Sequence, residues 1–277
     1  MRGIVSLGLS VQNLVSTKAN FTICNIAIFH PNPMATSSSS CVIRGGYWRS
    51  FEPEPFPPKP DLVKTYFTHL FYATVAIDPI IYDINPSTNE KERMKEFTSK
   101  AHELGLKCLL SVGEDTDPDK SQVTLVALCN MVRTPESRKT FIDSSTKVAR
   151  ENGFDGLDLF WKYPDTETEF EMPNLSLLFK EWRESIRNES SEPEKRLLLS
   201  TIAYFAPKFF PPNDDKAYPF KAIKDNVDLI SCATITMEAR TLKSLLNMLC
   251  SMTKKAKRAL IMVFHPGSMT LGFQKGN

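Results

Sequence analysis

Gly153-Phe154-Asp155-Gly156-Leu157-Asp158-Leu159-Phe160-Trp161-Lys162-Tyr163-Pro164 is the stretch on which the reading of the fold turns. A glycine turn leads into it and a proline closes it, so it reads as one buried strand. Side chains alternate along a strand, which puts Asp158, Phe160 and Lys162 on one face and Leu157, Leu159 and Trp161 on the other. The apolar face suits a covering layer of helices. The opposite face carries a carboxylate, a phenyl ring and an ammonium in a row, a set that is costly to bury unless it lines a site.

Outward from this stretch, apolar runs alternate with helical patterns. Residues 42–48, 67–73, 106–113, 196–203, 227–235 and 259–264 read as further strands. Residues 91–103, 123–132, 138–152, 175–188 and 242–255 read as helices, with Met94, Phe97 and Ala101 at helical spacing in the first of them. Pro53, Pro55, Pro57, Pro58 and Pro60 make residues 51–60 an extended loop. Near-continuous apolar strands separated by helices indicate a parallel α/β sheet. Strands in this order predict a TIM-type (β/α)8 barrel that is incomplete, with about seven strands and its last unit missing. An open doubly wound sheet is the alternative, but no G-x-G-x-x-G follows any strand.

The chain has 277 residues, room for one barrel of about 250 residues. Residues 1–40 are set apart as an atypical leader and linker. Arg2 and Lys18 precede an apolar run from Phe21 to Phe29 that Thr22 and Asn25 interrupt, and Ser37 to Ser40 form a polar link. Residues 41–277 are then the partial barrel domain. A net charge of +2 is too small to point to nucleic acid or an anionic membrane, and no apolar run approaches the ~20 residues of a membrane span. Neither partner is expected. The six cysteines are widely spaced without a C-x-x-C pair, and the four histidines show no ligand spacing, so no metal site and no cofactor are expected. Cys108 and Cys232, inside apolar strands, read as small buried hydrophobes.

Phe154-Asp155-Gly156-Leu157-Asp158-Leu159, followed by Trp161 and Tyr163-Pro164, resembles the D-x-x-D-x-D-x-E strand of the glycoside hydrolase family 18 chitinases, with the W-E-Y-P ending of the plant class V type. Gly45-Gly46-Tyr47-Trp48 is similar to that family's first strand, and Phe67-Thr68-His69-Leu70-Phe71-Tyr72-Ala73 to its second. Leu109-Leu110-Ser111-Val112-Gly113 is similar to the third, which normally ends S-x-G-G. The likeness runs from about Val42 to Gly267, and its strength lies in the order and spacing of these motifs together. It implies a barrel with its site at the carboxyl ends of the strands, an extracellular setting, and chitin or N-acetylglucosamine oligosaccharides as partners. It also implies a reaction in which the substrate's own N-acetyl oxygen is the nucleophile. A glutamic acid protonates the glycosidic oxygen, and an aspartate two residues earlier orients the acetamido group.

The sequence departs from that pattern where the chemistry lies. Asp155 and Asp158 match the first two aspartates, but Phe160 stands at the third and Lys162 at the glutamate. A lysine, with a reference pKa of ~10.4, is a poor proton donor at neutral pH. Phe160 carries no charge. Losing a general acid alone typically costs ~10²–10⁴ in rate. Glu114 stands where the third strand would have its second glycine. Ala233, Ile235 and Thr236 fall where the family's M-x-Y-D pattern would contact the acetamido group. The family's last strand, with its sugar-floor tryptophan, and the α+β insertion before it are expected to be missing.

These departures leave several functions open. The first is a catalytically inactive chitinase-like protein. The second is a lectin-like module that keeps weak binding to chitin or N-acetylglucosamine oligomers through Tyr47, Trp48, Phe71, Trp161 and Tyr163, residues for which core packing is the competing role. The third is a working glycosidase with a relocated acid, Glu114 or Asp115. A decayed fragment without function is the last. Lys162 is expected to pair with Asp158 or Asp155, and Asp155 is expected to be structural. An unclosed barrel would expose the edges of its first and last strands, which predicts self-association through that open edge.

Overall fold

A computed structural model describes residues 21–27, 43–49, 56, 60–114, 118–161, 171–203, 218–234 and 259–264. Its strands are β1 (Phe21–Ala27), β2 (Gly45–Arg49), β3 (His69–Ala76), β4 (Lys107–Gly113), β5 (Gly156–Phe160), β6 (Leu198–Ala203), β7 (Leu229–Thr234) and β8 (Ala259–Phe264). From β2 to β8 each strand pairs in parallel with the next. The parallel part is the incomplete TIM-type barrel that the strand order indicates, with seven strands of the eight-strand pattern.

The eighth place in the ring is taken by β1, which runs antiparallel to both β2 and β8 and closes the barrel. Part of the interrupted apolar run of residues 21–29 is thus placed as a strand. This also corrects the expectation of an open edge. An unpaired strand exposes a row of N–H and C=O groups that recruits another chain, and β1 occupies that row on both sides of the gap. The ground for self-association through that edge is gone.

The helices are α1 (Pro60–Tyr66), α2 (Thr88–Glu103), α3 (Pro118–Met131), α4 (Pro135–Glu151), α5 (Glu171–Glu189) and α6 (Phe220–Asn226). The four longer ones begin about a turn earlier than their apolar periodicity does. The first turns of α2, α3 and α4 are polar or start with proline, and the orphan N–H groups there need caps rather than apolar neighbours. Ser87 Oγ accepts from the Glu90 N–H at 3.3 Å ahead of α2, in an S-x-x-E arrangement, and Thr134 Oγ1 accepts from the Ser137 N–H at 3.1 Å ahead of α4. The two-turn helices α1 and α6 were too short to show a period. The helix expected over residues 242–255 lies outside the described residues.

α4 stops at Gly153, whose φ of +78° suits a residue without a Cβ, and the chain turns directly into β5. Strand alternation then sorts the side chains into two layers. Leu157, Leu159 and Trp161 join the shell between strands and helices, with Trp48, Tyr72, Phe97, Phe141, Phe154 and Trp182. Tyr47, Phe71, Leu109, Phe160, Ile202 and Leu229 form a separate cluster inside the ring. No helix among the described residues is long and apolar enough to cross a membrane.

Candidate functional site

The ring interior is where the motif face of β5 ends up. Ser111 on β4, Asp158 on β5 and Ser200 on β6 are register neighbours across three adjacent strands, and all three are fully buried. Asp158 Oδ2 accepts from Ser111 Oγ at 2.8 Å and from the Tyr47 hydroxyl at 3.1 Å. Tyr47 Oη is also 3.2 Å from Ser231 Oγ on β7. A phenol has one hydrogen, so with Tyr47 donating to Asp158 the Ser231 hydroxyl must donate to Tyr47. The result is a chain of hydroxyls ending on one carboxyl group.

Burial pushes the Asp158 carboxyl up to about 6, while the hydroxyls of Ser111, Ser200 and Tyr47 pull in the other direction. Among the described residues its partners are hydroxyls and not a cation. Above this network sits Phe160. Its ring meets Tyr47 edge-on with centroids 5.4 Å apart, and Tyr47 in turn stacks on Phe71 at 4.6 Å. Phe160 is only 6% exposed, so the position of the motif's third acid is filled by a packed aromatic ring.

The rim beside Phe160 is tight. Gly113, at the end of β4, has a φ of +135°, and a Cβ there would stand 2.6 Å from the Phe160 carbonyl oxygen. The next residue, Glu114, donates its N–H to that same oxygen at 2.8 Å, and its carbonyl accepts from Thr74 Oγ1 at 3.1 Å. Lys162, Tyr163 and Asp115 lie outside the described residues, as do Ile235 and Thr236.

The aromatic candidates separate by parity. Tyr47 and Phe71 face the ring interior, whereas Trp48 packs edge-on against Phe56 at 5.3 Å in the outer shell, and Trp161 is buried in that shell as well. Asp155 lies at the opposite end of β5 from Phe160. Its Oδ1 accepts from Lys107 Nζ at 2.6 Å, and its Oδ2 accepts from the Cys108 N–H at 2.9 Å and lies 2.9 Å from His102 Nε2. Burial works to raise its pKa, but Lys107, the Cys108 N–H and His102 outweigh it and hold the carboxyl below its ordinary value. Asp155 thus pairs with Lys107, which strand register brings alongside, while the expected pairing of Lys162 with Asp158 or Asp155 lies outside the described residues.

Sequence reading missed the hydroxyl partners Ser111, Ser200 and Ser231, which carry no motif of their own. It also missed the meeting of His102, Cys108 and Asp155, whose donor atoms all lie within 4.8 Å of one another.

Fold and interior together define a TIM-type α/β barrel whose site strand carries spaced aspartates. Residues 44–257 match the model of the glycosyl hydrolases family 18, and the chain belongs to that family. It is 33% identical over 219 residues to a class V chitinase of Arabidopsis thaliana, covering 78% of this chain and 53% of that one. Among solved structures, a chitinase-like agglutinin from Robinia pseudoacacia matches at 32% identity with a TM-score of 0.59, over 70% of this chain and 55% of the other. A family 18 chitinase from Cycas revoluta, solved in complex with (GlcNAc)3, matches at 29% identity with a TM-score of 0.60, over 69% and 55% of the two chains. The chain spans about half the length of the curated relatives it matches.

Proposed function

We propose that this chain is a catalytically inactive chitinase-like barrel. The observation that carries the reading is the seat of Phe160, packed on Tyr47 in the ring interior where the motif calls for a carboxylate. Retaining hydrolysis assisted by an acetamido group needs one acid to orient the amide and a second to protonate the leaving oxygen. Asp158 alone, with Oδ2 bonded to the Ser111 and Tyr47 hydroxyls, supplies one acid where two are needed. An acetamido group entering the ring would find the Phe160 ring in place of a carboxylate, and Lys162 stands at the proton donor's place in the sequence. The test is turnover of N-acetylglucosamine oligomers by the purified chain beside a Phe160→Asp/Lys162→Glu double variant. Release of shorter oligomers by the unmodified chain, above a no-protein control, overturns the reading and favours a relocated acid.

A second reading is weak retention of chitin or N-acetylglucosamine oligomers without cleavage. It is supported by the likeness to the Robinia agglutinin and to the Cycas chitinase bound to (GlcNAc)3. Of the aromatic candidates, Tyr47 and Phe71 face the ring interior, but at 3% and 0% exposure they pack on each other, and a sugar reaches them only if that cluster opens. Trp48 and Trp161 would serve it only through packing. Calorimetric titration with the same oligomers decides it. Heat without turnover supports binding, and neither heat nor turnover leaves a fold without either function.

A further inference from the structure

At the base of the barrel, away from Phe160, three elements bring three different donor atoms together. His102 is in the last turn of α2, Cys108 is the second residue of β4, and Asp155 immediately precedes β5. His102 Nε2 lies 2.9 Å from Asp155 Oδ2 and 3.4 Å from Cys108 Sγ, and that sulfur is 3.6 Å from the same oxygen. We propose that His102, Cys108 and Asp155 form a binding site for a divalent transition metal ion of the zinc class.

The triangle has the right size. With metal–nitrogen and metal–oxygen bonds of about 2.0–2.1 Å and a metal–sulfur bond of about 2.3 Å, tetrahedral ligands stand roughly 3.3–3.6 Å apart. Both edges through sulfur fit this range. The nitrogen–oxygen edge is shorter because a hydrogen bond spans it, and it must open by about 0.4 Å when an ion takes that hydrogen's place.

The triangle also has the right shape. A nucleophilic Cys–His–Asp relay uses the two imidazole nitrogens separately, one toward sulfur and one toward carboxylate. Here both neighbours face Nε2, so the three donors converge on one point and do not form a line. A thiolate, an imidazole and a carboxylate together favour zinc over magnesium or calcium, which prefer oxygen alone.

The carboxylate is already oriented. Lys107 Nζ holds Oδ1, the Cys108 N–H holds Oδ2, and both contacts are compatible with a ligand on the remaining lone pair. Access is from one side. Cys108 is fully buried, but the His102 side chain is 45% exposed and that of Asp155 15%, so the cluster borders solvent on the His102 side. Binding expels the Cys108 thiol proton and moves the His102 proton from Nε2 to Nδ1. One proton leaves for each ion bound, so affinity rises with pH.

Cobalt(II) titrated into the full chain, after removal of metals by a chelator, reads the site directly. The expected result is a thiolate-to-cobalt charge-transfer band with four-coordinate visible bands, saturating at one equivalent and displaced by zinc. Cys108→Ser should abolish the charge-transfer band. His102→Gln, at an exposed position and with its fold checked by circular dichroism, should weaken cobalt binding about ten-fold or more. Absence of the band in the unmodified chain, or a band of full intensity in Cys108→Ser, overturns the proposal. If Cys108→Ser does not fold, unchanged cobalt affinity in His102→Gln overturns it alone.

Discussion

Tyr47 joins the two halves of the barrel interior: its ring meets Phe160 edge-on at 5.4 Å, while its hydroxyl lies 3.1 Å from Asp158 Oδ2. One side chain therefore supports the aromatic packing and the buried carboxyl at the same time. Removing Phe160 leaves a cavity over that network. Phe160→Ala is expected to cost about 3–5 kcal/mol, and Phe160→Leu much less, in urea unfolding at neutral pH. Equal costs for the two would show that the ring is not packed there. Phe160→Asp without a change at Lys162 should be less stable than the unmodified chain near pH 7, because two neighbouring buried carboxyls cannot both ionise cheaply.

Asp158 and His69 should give opposite pH dependences. Asp158 rises from 3.8 to about 6 in the folded chain, so stability from this group falls as pH climbs from about 4 to 6. His69 is lowered from 6.5 to about 4, chiefly by burial, so its contribution is complete above 6.5 and is lost as pH falls toward 4. Each shift corresponds to about 3 kcal/mol, and across this window the two nearly cancel. Between pH 6.5 and 4, Asp158→Asn should lose about 3 kcal/mol relative to the unmodified chain, and His69→Gln should gain a similar amount. Denaturant midpoints at the two pH values measure this, and parallel slopes in all three proteins would rule it out.

Arg138 and Glu181 tie α4 to α5 through a two-pronged pair, Nε to Oε2 at 2.8 Å and Nη2 to Oε1 at 2.7 Å. The third arm of the guanidinium donates to the Val132 carbonyl at 2.8 Å, and Arg138 is 3% exposed. Glu181→Ala strands a buried charge and should cost about 3–5 kcal/mol. Arg138→Met/Glu181→Leu, which removes both charges, should recover most of that loss. A double variant as unstable as the single one would count against this account.

Gly113→Ala should destabilise the barrel by more than about 1 kcal/mol, since it combines a disfavoured φ with a Cβ 2.6 Å from the Phe160 carbonyl. Thermal melts of the variant test it. A melting temperature equal to that of the unmodified chain would mean that β4 and β5 separate at no cost.

Much of this was legible in the sequence, residue by residue. The alternation in Leu157 to Trp161 placed Asp158 and Phe160 on one face and the apolar residues on the helix-covered face, and the barrel keeps that division. Asp155 has the opposite parity, and it bonds to Lys107 and the Cys108 N–H. Helix starts are not legible in the apolar pattern, because a capped polar turn carries no period, as at Ser87 and Thr134.

By itself, the sequence determined the parallel α/β barrel, the face of β5 that turns inward, and the replacement of two motif acids by Phe160 and Lys162. Those are local properties, since alternation and residue chemistry are written in consecutive positions. Tertiary structure alone decided that Tyr47, Ser111 and Ser231 converge around Asp158, that β1 closes the ring, and that His102, Cys108 and Asp155 meet at its base. Such meetings depend on strand register and barrel closure, which bring together residues far apart in the chain. The opening stretch is where the two levels touch: its residue types name the family, and the packing of Phe160 in the ring supports the reading that the family's chemistry is gone.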